Sequence, residues 1–161
     1  MAERAPIAFP VDAAQIMLFA RAIGDETAAF NDIARPETMV APPTFVEVLQ
    51  HFIPDYHVRP KPGQPWFGSG ATPTGVPGRQ TGTTTMHAEQ HFEYHRPIRP
   101  GDTLIATSRP GKIWEKSGRS GDMHFSELIT EFRDDQQRLV VTSIQVEVVI
   151  TPVAQADHSG G

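Results

Sequence analysis

The chain has 161 residues, with 14 Lys plus Arg against 19 Asp plus Glu, a formal charge of −5 and no cysteine. That length suits one domain with its own core, and the missing thiols exclude disulfides, thiolate metal sites and a cysteine nucleophile. Nucleic-acid binding is not expected, because phosphate neutralisation needs clustered Lys and Arg and the densest group here is Lys112, Lys116 and Arg119.

The first residues carry no apolar signal core, and no apolar run is long enough to span a bilayer. A cytoplasmic, membrane-free protein is the expectation. Asp12 opens a first helix, with Gln15 completing a capping box. Ile16, Phe19, Ala20 and Ile23 recur at helical spacing, and Gly24 stands where a C-terminal cap belongs, so the helix spans about Val11 to Ile23. Asp25 to Met39 reads as a loop with at most a turn of helix. Pro42 and Pro43 suit the first turn of a second helix, and Phe45, Val46, Val48, Leu49, Phe52 and Ile53 lie nearly all round it, so Pro43 to Ile53 is expected buried on most sides, ending at Pro54.

Asp55 to Thr83 is a long excursion rich in proline and glycine. From Thr84 the period becomes two: Met86, Ala88, Phe92 and Tyr94 alternate with His87, Glu89, His91, Glu93 and His95. A second strand starts near Asp102, breaks at Pro110-Gly111 and resumes to Trp114. Ser117 to Gly121 is a hairpin loop. Further strands cover Met123 to Arg133 and, after a turn, Leu139 to Ile150, the last apolar enough to be central. An apolar helix needs a sheet to cover it. The expected fold is therefore α+β, a meander of long antiparallel strands wrapped around a central helix, as a single domain over 1–153 with a disordered tail over 154–161.

Four segments resemble the MaoC-like hydratase/dehydratase group, in its FAS1-like dehydratase N-terminal branch: Phe19-Ala-Arg-Ala-Ile-Gly-Asp25, Val40-Ala-Pro-Pro-Thr-Phe45, the stretch His87 to Pro97, and Glu115-Lys-Ser-Gly-Arg-Ser-Gly121. The resemblance implies a hot-dog fold and reversible addition of water to an enoyl thioester. That chemistry needs a base for water, an acid for the alpha carbon and a donor for the enolate oxygen. In the catalytic branch these are an aspartate, a histidine five residues later and an N–H at the start of the hot-dog helix. The aspartate maps onto Asp25, but the histidine maps onto Phe30, which transfers no proton. Thr27-Ala28 replaces the usual Asn-Pro. At the helix start Pro42 and Pro43 have no N–H, and Thr44 alone can donate. The resemblance thus implies a subunit of an enoyl-thioester hydratase or 3-hydroxyacyl-thioester dehydratase, either active or its acyl-binding, catalytically degenerate half; the alternatives are a non-catalytic acyl-thioester-binding subunit that stabilises a catalytic sister chain, and a hot-dog thioesterase.

Each candidate residue has a plainer reading beside the functional one. Asp25 is a catalytic base or a helix-end turn residue, and Phe30 favours the turn. His87, His91 and His95 share one face in a period-two strand, and read as a solvated stripe more readily than as a metal site, which needs further ligands. His87 opens a family-like segment and is the candidate to face the cleft as a substitute acid. Trp66 and Phe67 either wall an acyl tunnel or make a dimer contact. Lys116 and Arg119 either contact the phosphates of coenzyme A or a carrier pantetheine, or are a plain hairpin tip. Glu47 is the carboxylate that a hot-dog thioesterase would place on its helix. No metal or cofactor is expected. The expected partners are an acyl-CoA or acyl-carrier thioester and a second hot-dog chain, as homodimer or heterodimer.

Overall fold

The computed structural model describes residues 5–56, 58–66, 68, 84–119 and 121–151. Five strands form one antiparallel sheet in the order β1-β3-β4-β5-β2: β1 Ile7–Pro10, β2 Thr84–Tyr94, β3 Thr103–Gly118, β4 Gly121–Arg133 and β5 Leu139–Thr151. β3, β4 and β5 follow one another by hairpins as expected. β2 does not join that meander beside β3; it pairs with β5 at the far edge, Tyr94 opposite Val141 and Thr84 opposite Ile150. β1 escaped the sequence reading because it is only four residues long and ends in proline; it lies along β3, Phe9 opposite Leu104.

Helix α1 runs Ala13–Ala22 with the predicted capping box at Asp12 and Gln15. Its end is a Schellman turn: Gly24 takes a left-handed φ of 75°, its N–H bonds the Arg21 carbonyl, and the Asp25 N–H bonds the Ala20 carbonyl. A single short helix, α2 Ala28–Asn31, and a 3-10 turn at Pro36–Thr38 follow.

The central helix departs from expectation in start and type. It is a 3-10 helix over Phe45–Phe52, not a helix from Pro43, because Thr44 before it sits at a φ of 74°. Only Phe45 and Val46 within it are buried. Glu47 and Gln50 lie among the apolar positions, and their polar ends turn one side of the helix into the wall of a cavity. The core sits under the other side. Phe9 stacks on Phe45 at 5.7 Å and meets Phe52 and Phe132 edge-on, while Phe19 meets Phe45 edge-on at 5.6 Å. Ile16, Met39, Ile98, Leu104 and Val141 complete this cluster, with Val48 and Leu49 packed against it. β3 is continuous through Pro110-Gly111. The expected break appears as a shift of register between Pro110 and Ile113. Among the described residues no helix is long and apolar enough to cross a membrane.

Candidate functional site

A half-open cavity of about 320 Å3 lies between the central helix and the concave face of the sheet. Val46, Leu49 and Ile53 give it an apolar ceiling, with Glu47, Gln50 and Tyr56 beside them. Its floor is mainly polar. Ser143, Gln145 and Glu147 project from alternate positions of β5, Ser126 and Thr130 from β4, Ser108 from β3 and His87 from β2. The floor hydroxyls are linked, Ser108 to Thr130 at 2.9 Å, and Gln90 donates to Ser143 at 2.7 Å.

His87 reaches this face through a β-bulge. It pairs with Glu147, whereas Glu89 pairs with Val146, so Ala88 has no partner of its own. Paired residues share a face. His87 therefore looks inward with Glu147, while His91, opposite Ile144, looks outward and meets Glu89 at 2.9 Å. His95 lies beyond the strand, its N–H on the Val140 carbonyl. The three histidines thus do not share a face as the period of two predicts, because the bulge breaks that period. Among the described residues no three His, Asp or Glu side chains gather as metal ligands.

Glu47 stands across the cavity from the floor. Burial pushes its carboxyl above the ordinary range, against the opposing influence of nearby His87 and a hydrogen bond from Gln50. Gln50 Nε2 lies 3.3 Å from Glu47 Oε2, and Gln50 Oε1 accepts from the Tyr56 hydroxyl, so the three side chains form a chain along the ceiling.

Asp25 does not line this cavity. Its backbone closes α1, and its Oδ1 accepts the Thr27 N–H at 2.9 Å, which leads the chain into α2. Asn31 donates to the Asp25 carbonyl. The Thr27 bonds hold the Asp25 carboxyl below its ordinary range, making it a weak base. Phe30 packs against the core cluster. Thr44 directs its N–H at the Tyr94 hydroxyl, 3.3 Å away. Burial raises the Tyr94 hydroxyl, the Thr44 N–H opposes that, and Glu47 adds to it.

The remaining candidates lie apart. Trp66 donates from Nε1 to the Val58 carbonyl at 2.7 Å and is not a lining residue, and Phe67 falls outside the described residues. Lys116 lies on the convex face, its Nζ 5.3 Å from the Phe125 ring centre, which stacks on Trp114. Arg119 is exposed in the β3–β4 turn. Sequence reasoning missed Tyr56, which is hidden in an irregular segment, and the floor of β5. The signal for that floor was present: Ser143, Gln145 and Glu147 recur at spacing two inside a strand that is otherwise mainly apolar.

Residues 2–143 match the model of the family described as "FAS1-like, dehydratase domain region". A UPF0336 protein of Streptomyces griseus is 28% identical over 147 residues, which cover 85% of this chain and 82% of the relative. Among solved structures, the ChsH1–ChsH2 complex of Mycobacterium tuberculosis superposes with a TM-score of 0.66 at 19% identity, covering 98% of this chain and 91% of that one. The C-terminally truncated HadBC complex, a (3R)-hydroxyacyl-ACP dehydratase of the same organism, gives 0.59 at 23% identity and coverages of 92% and 94%. At such identities the structures establish the shared hot-dog fold.

Proposed function

This chain belongs to the FAS1-like dehydratase domain family, and from that premise we propose that it is the acyl-binding half of an enoyl-thioester hydratase or 3-hydroxyacyl-thioester dehydratase, working beside a second hot-dog chain that supplies the acid and base. One observation carries the reading: at the family's catalytic position, Asp25 is tied into a helix-end turn and Phe30 packs on the core. The Thr44 N–H, the remaining donor for an enolate oxygen, already faces Tyr94. Losing one such donor costs about a hundred- to thousand-fold in rate, and losing the general acid about as much again or more.

Both structural neighbours are complexes of hot-dog chains by description, which supports a partner of that kind. In this reading Lys116 and Arg119 meet the phosphates of the thioester carrier, and the acyl chain lies along the cavity beneath Val46, Leu49 and Ile53. The test is hydration of crotonyl-coenzyme A and longer enoyl thioesters by the purified chain, beside its Asp25→Asn and His87→Ala variants. The expected result is little or no turnover alone, with turnover once a catalytic hot-dog chain is added. Full activity of the chain alone, abolished by either substitution, overturns the reading.

A hot-dog thioesterase is the second reading, favoured by one observation: Glu47 lines the cavity with its carboxyl raised above its ordinary range by burial. Thiol release from acyl-coenzyme A by the chain alone, lost in Glu47→Gln, selects it over the first.

A further inference from the structure

We infer that the acyl group held by this chain is an oxygenated one, bearing hydroxyl or carbonyl groups along one side, and not a plain hydrocarbon tail. The inference rests on the acyl-binding reading above and narrows it. A site for unsubstituted alkyl needs apolar walls all round, because a polar group stripped of water without a new partner costs about 1–3 kcal/mol. Here the ceiling meets that need, while the floor, where Leu128 and Ile7 are outnumbered by polar side chains, does not.

The floor's polarity is built in depth. Ser143 is only 6% exposed, yet it is a hydroxyl in the middle of β5, between Thr142 and Ile144 in a strand of mainly apolar residues. Behind it, Gln90 gives its nitrogen to Ser143, while its side-chain oxygen is buried without a hydrogen-bond partner among the described residues. Gln145 and Glu147 continue the row along β5, with His87 paired opposite Glu147. Glu47 and Gln50 add an acceptor and a donor from the helix side.

These groups do not converge as a metal site, since no three potential ligands gather among the described residues. Spread along a cavity of about 320 Å3, they suit a neutral organic group with several separate oxygens, in a space of the size that takes a small organic ligand. Hydroxyl donors would face Glu47 and Glu147, and oxygens would accept from Gln145 and His87. The hydrocarbon side would lie against Val46, Leu49 and Ile53.

The experiment is calorimetric titration of the purified chain with decanoyl-coenzyme A and with two isomers hydroxylated away from the thioester, in mid-chain and at the far end. At least one isomer is expected to bind about tenfold more tightly than the plain thioester, the worth of one to two net hydrogen bonds. Ser143→Ala, and Ser143→Ala with Gln145→Met, should erase that preference and tighten binding of the plain chain. If a variant fails to fold, the wild-type comparison still decides. Plain decanoyl-coenzyme A binding as tightly as every hydroxylated isomer overturns the inference and leaves the acyl-binding reading standing. No binding of any thioester overturns both.

Discussion

Thr44 gives its backbone N–H to the Tyr94 hydroxyl at 3.3 Å, across 50 positions of sequence. The bond joins the entry of the central helix to the end of β2, and Thr44 makes it from a left-handed conformation that a β-branched residue adopts at a cost. Tyr94→Phe should lower stability by about 0.5–1.5 kcal/mol, since water can reach the abandoned N–H. Thr44→Gly should raise it by about 0.5–1 kcal/mol, relief of the strain exceeding the entropy that glycine adds to the unfolded chain. Urea midpoints check both. A loss in the glycine variant contradicts the account.

The aromatic cluster and the cavity predict unequal costs on one helix. Phe45 is fully buried and touches Phe9 and Phe19, so Phe45→Ala should cost about 3–5 kcal/mol. Leu49 is half-buried and already borders empty space. Leu49→Ala should cost under about 2 kcal/mol, at the low end for this change. Equal losses in denaturant titration would mean that the cavity is packed shut in solution.

Asp134 predicts the acid limb of stability. Burial works to raise its carboxyl, but the N–H groups of Arg138 and Gln136 and the Arg138 guanidinium outweigh it and hold it below its ordinary value of 3.8. A carboxyl depressed on folding adds stability that is complete above the unfolded value and lost as pH falls through the folded one. Asp134→Asn should therefore be clearly less stable than wild type at neutral pH, with the gap closing below pH 4. Arg96, which bridges Asp134 and Asp102, would lose one of its two acidic partners in the variant. A gap that is the same at both pH values refutes the assignment.

Glu47 carries the opposite sign. Its carboxyl is raised on folding, chiefly by burial, so its favourable contribution is present below the ordinary value of 4.5 and is lost as pH rises through the folded value. Glu47→Gln keeps the shape without the charge. The variant should be more stable than wild type at neutral pH and indistinguishable from it near pH 4, by thermal melting in matched buffers. Destabilisation at neutral pH would mean that the ionised carboxylate is needed by His87.

The sheet order leaves β2, 11 residues long, at an edge of the sheet beside β5, with no further strand paired to it among the described residues. A long open edge is a template for further pairing and is usually covered. The chain should form a homodimer, or a heterodimer with a second hot-dog chain, joined along such an edge. Light scattering at micromolar concentration checks this, and a clean monomer both alone and with a candidate partner chain refutes it.

Local rules made much of the fold legible. The Asp12 and Gln15 pair, the glycine after α1 and the period-two runs each act within a few residues, and each marks an element that is present, although the bulge at Ala88 breaks the period inside β2. What stayed hidden depends on distant partners. Pro42 and Pro43 are compatible with a helix start, and nothing local says that Thr44 turns left-handed to postpone it to Phe45. β1 is a strand because β3 is there to pair with it. The site divided in the same way: the turn at Asp25 follows from the Gly24 beside it, whereas the floor of β5 required knowing which of its alternate faces looks inward. The mainly apolar character of that strand masked the question.

The bulge at Ala88 has a consequence of parity. Counting back from Tyr94, even positions face the cavity as far as Gln90 and odd ones do so from His87 onward, because Ala88 adds one to the count without taking a partner. Met86 is thereby left outside, 46% exposed on the convex face opposite Val148, where an unbroken alternation would have put it inside. Straightened with Ala88 in place, the strand would set the alanine against Glu147 and turn the imidazole of His87 to solvent. Shortened by that alanine, it would keep every facing unchanged. Which histidine meets the cavity is thus decided by odd and even in β2, and not by the chemistry of any residue that touches it.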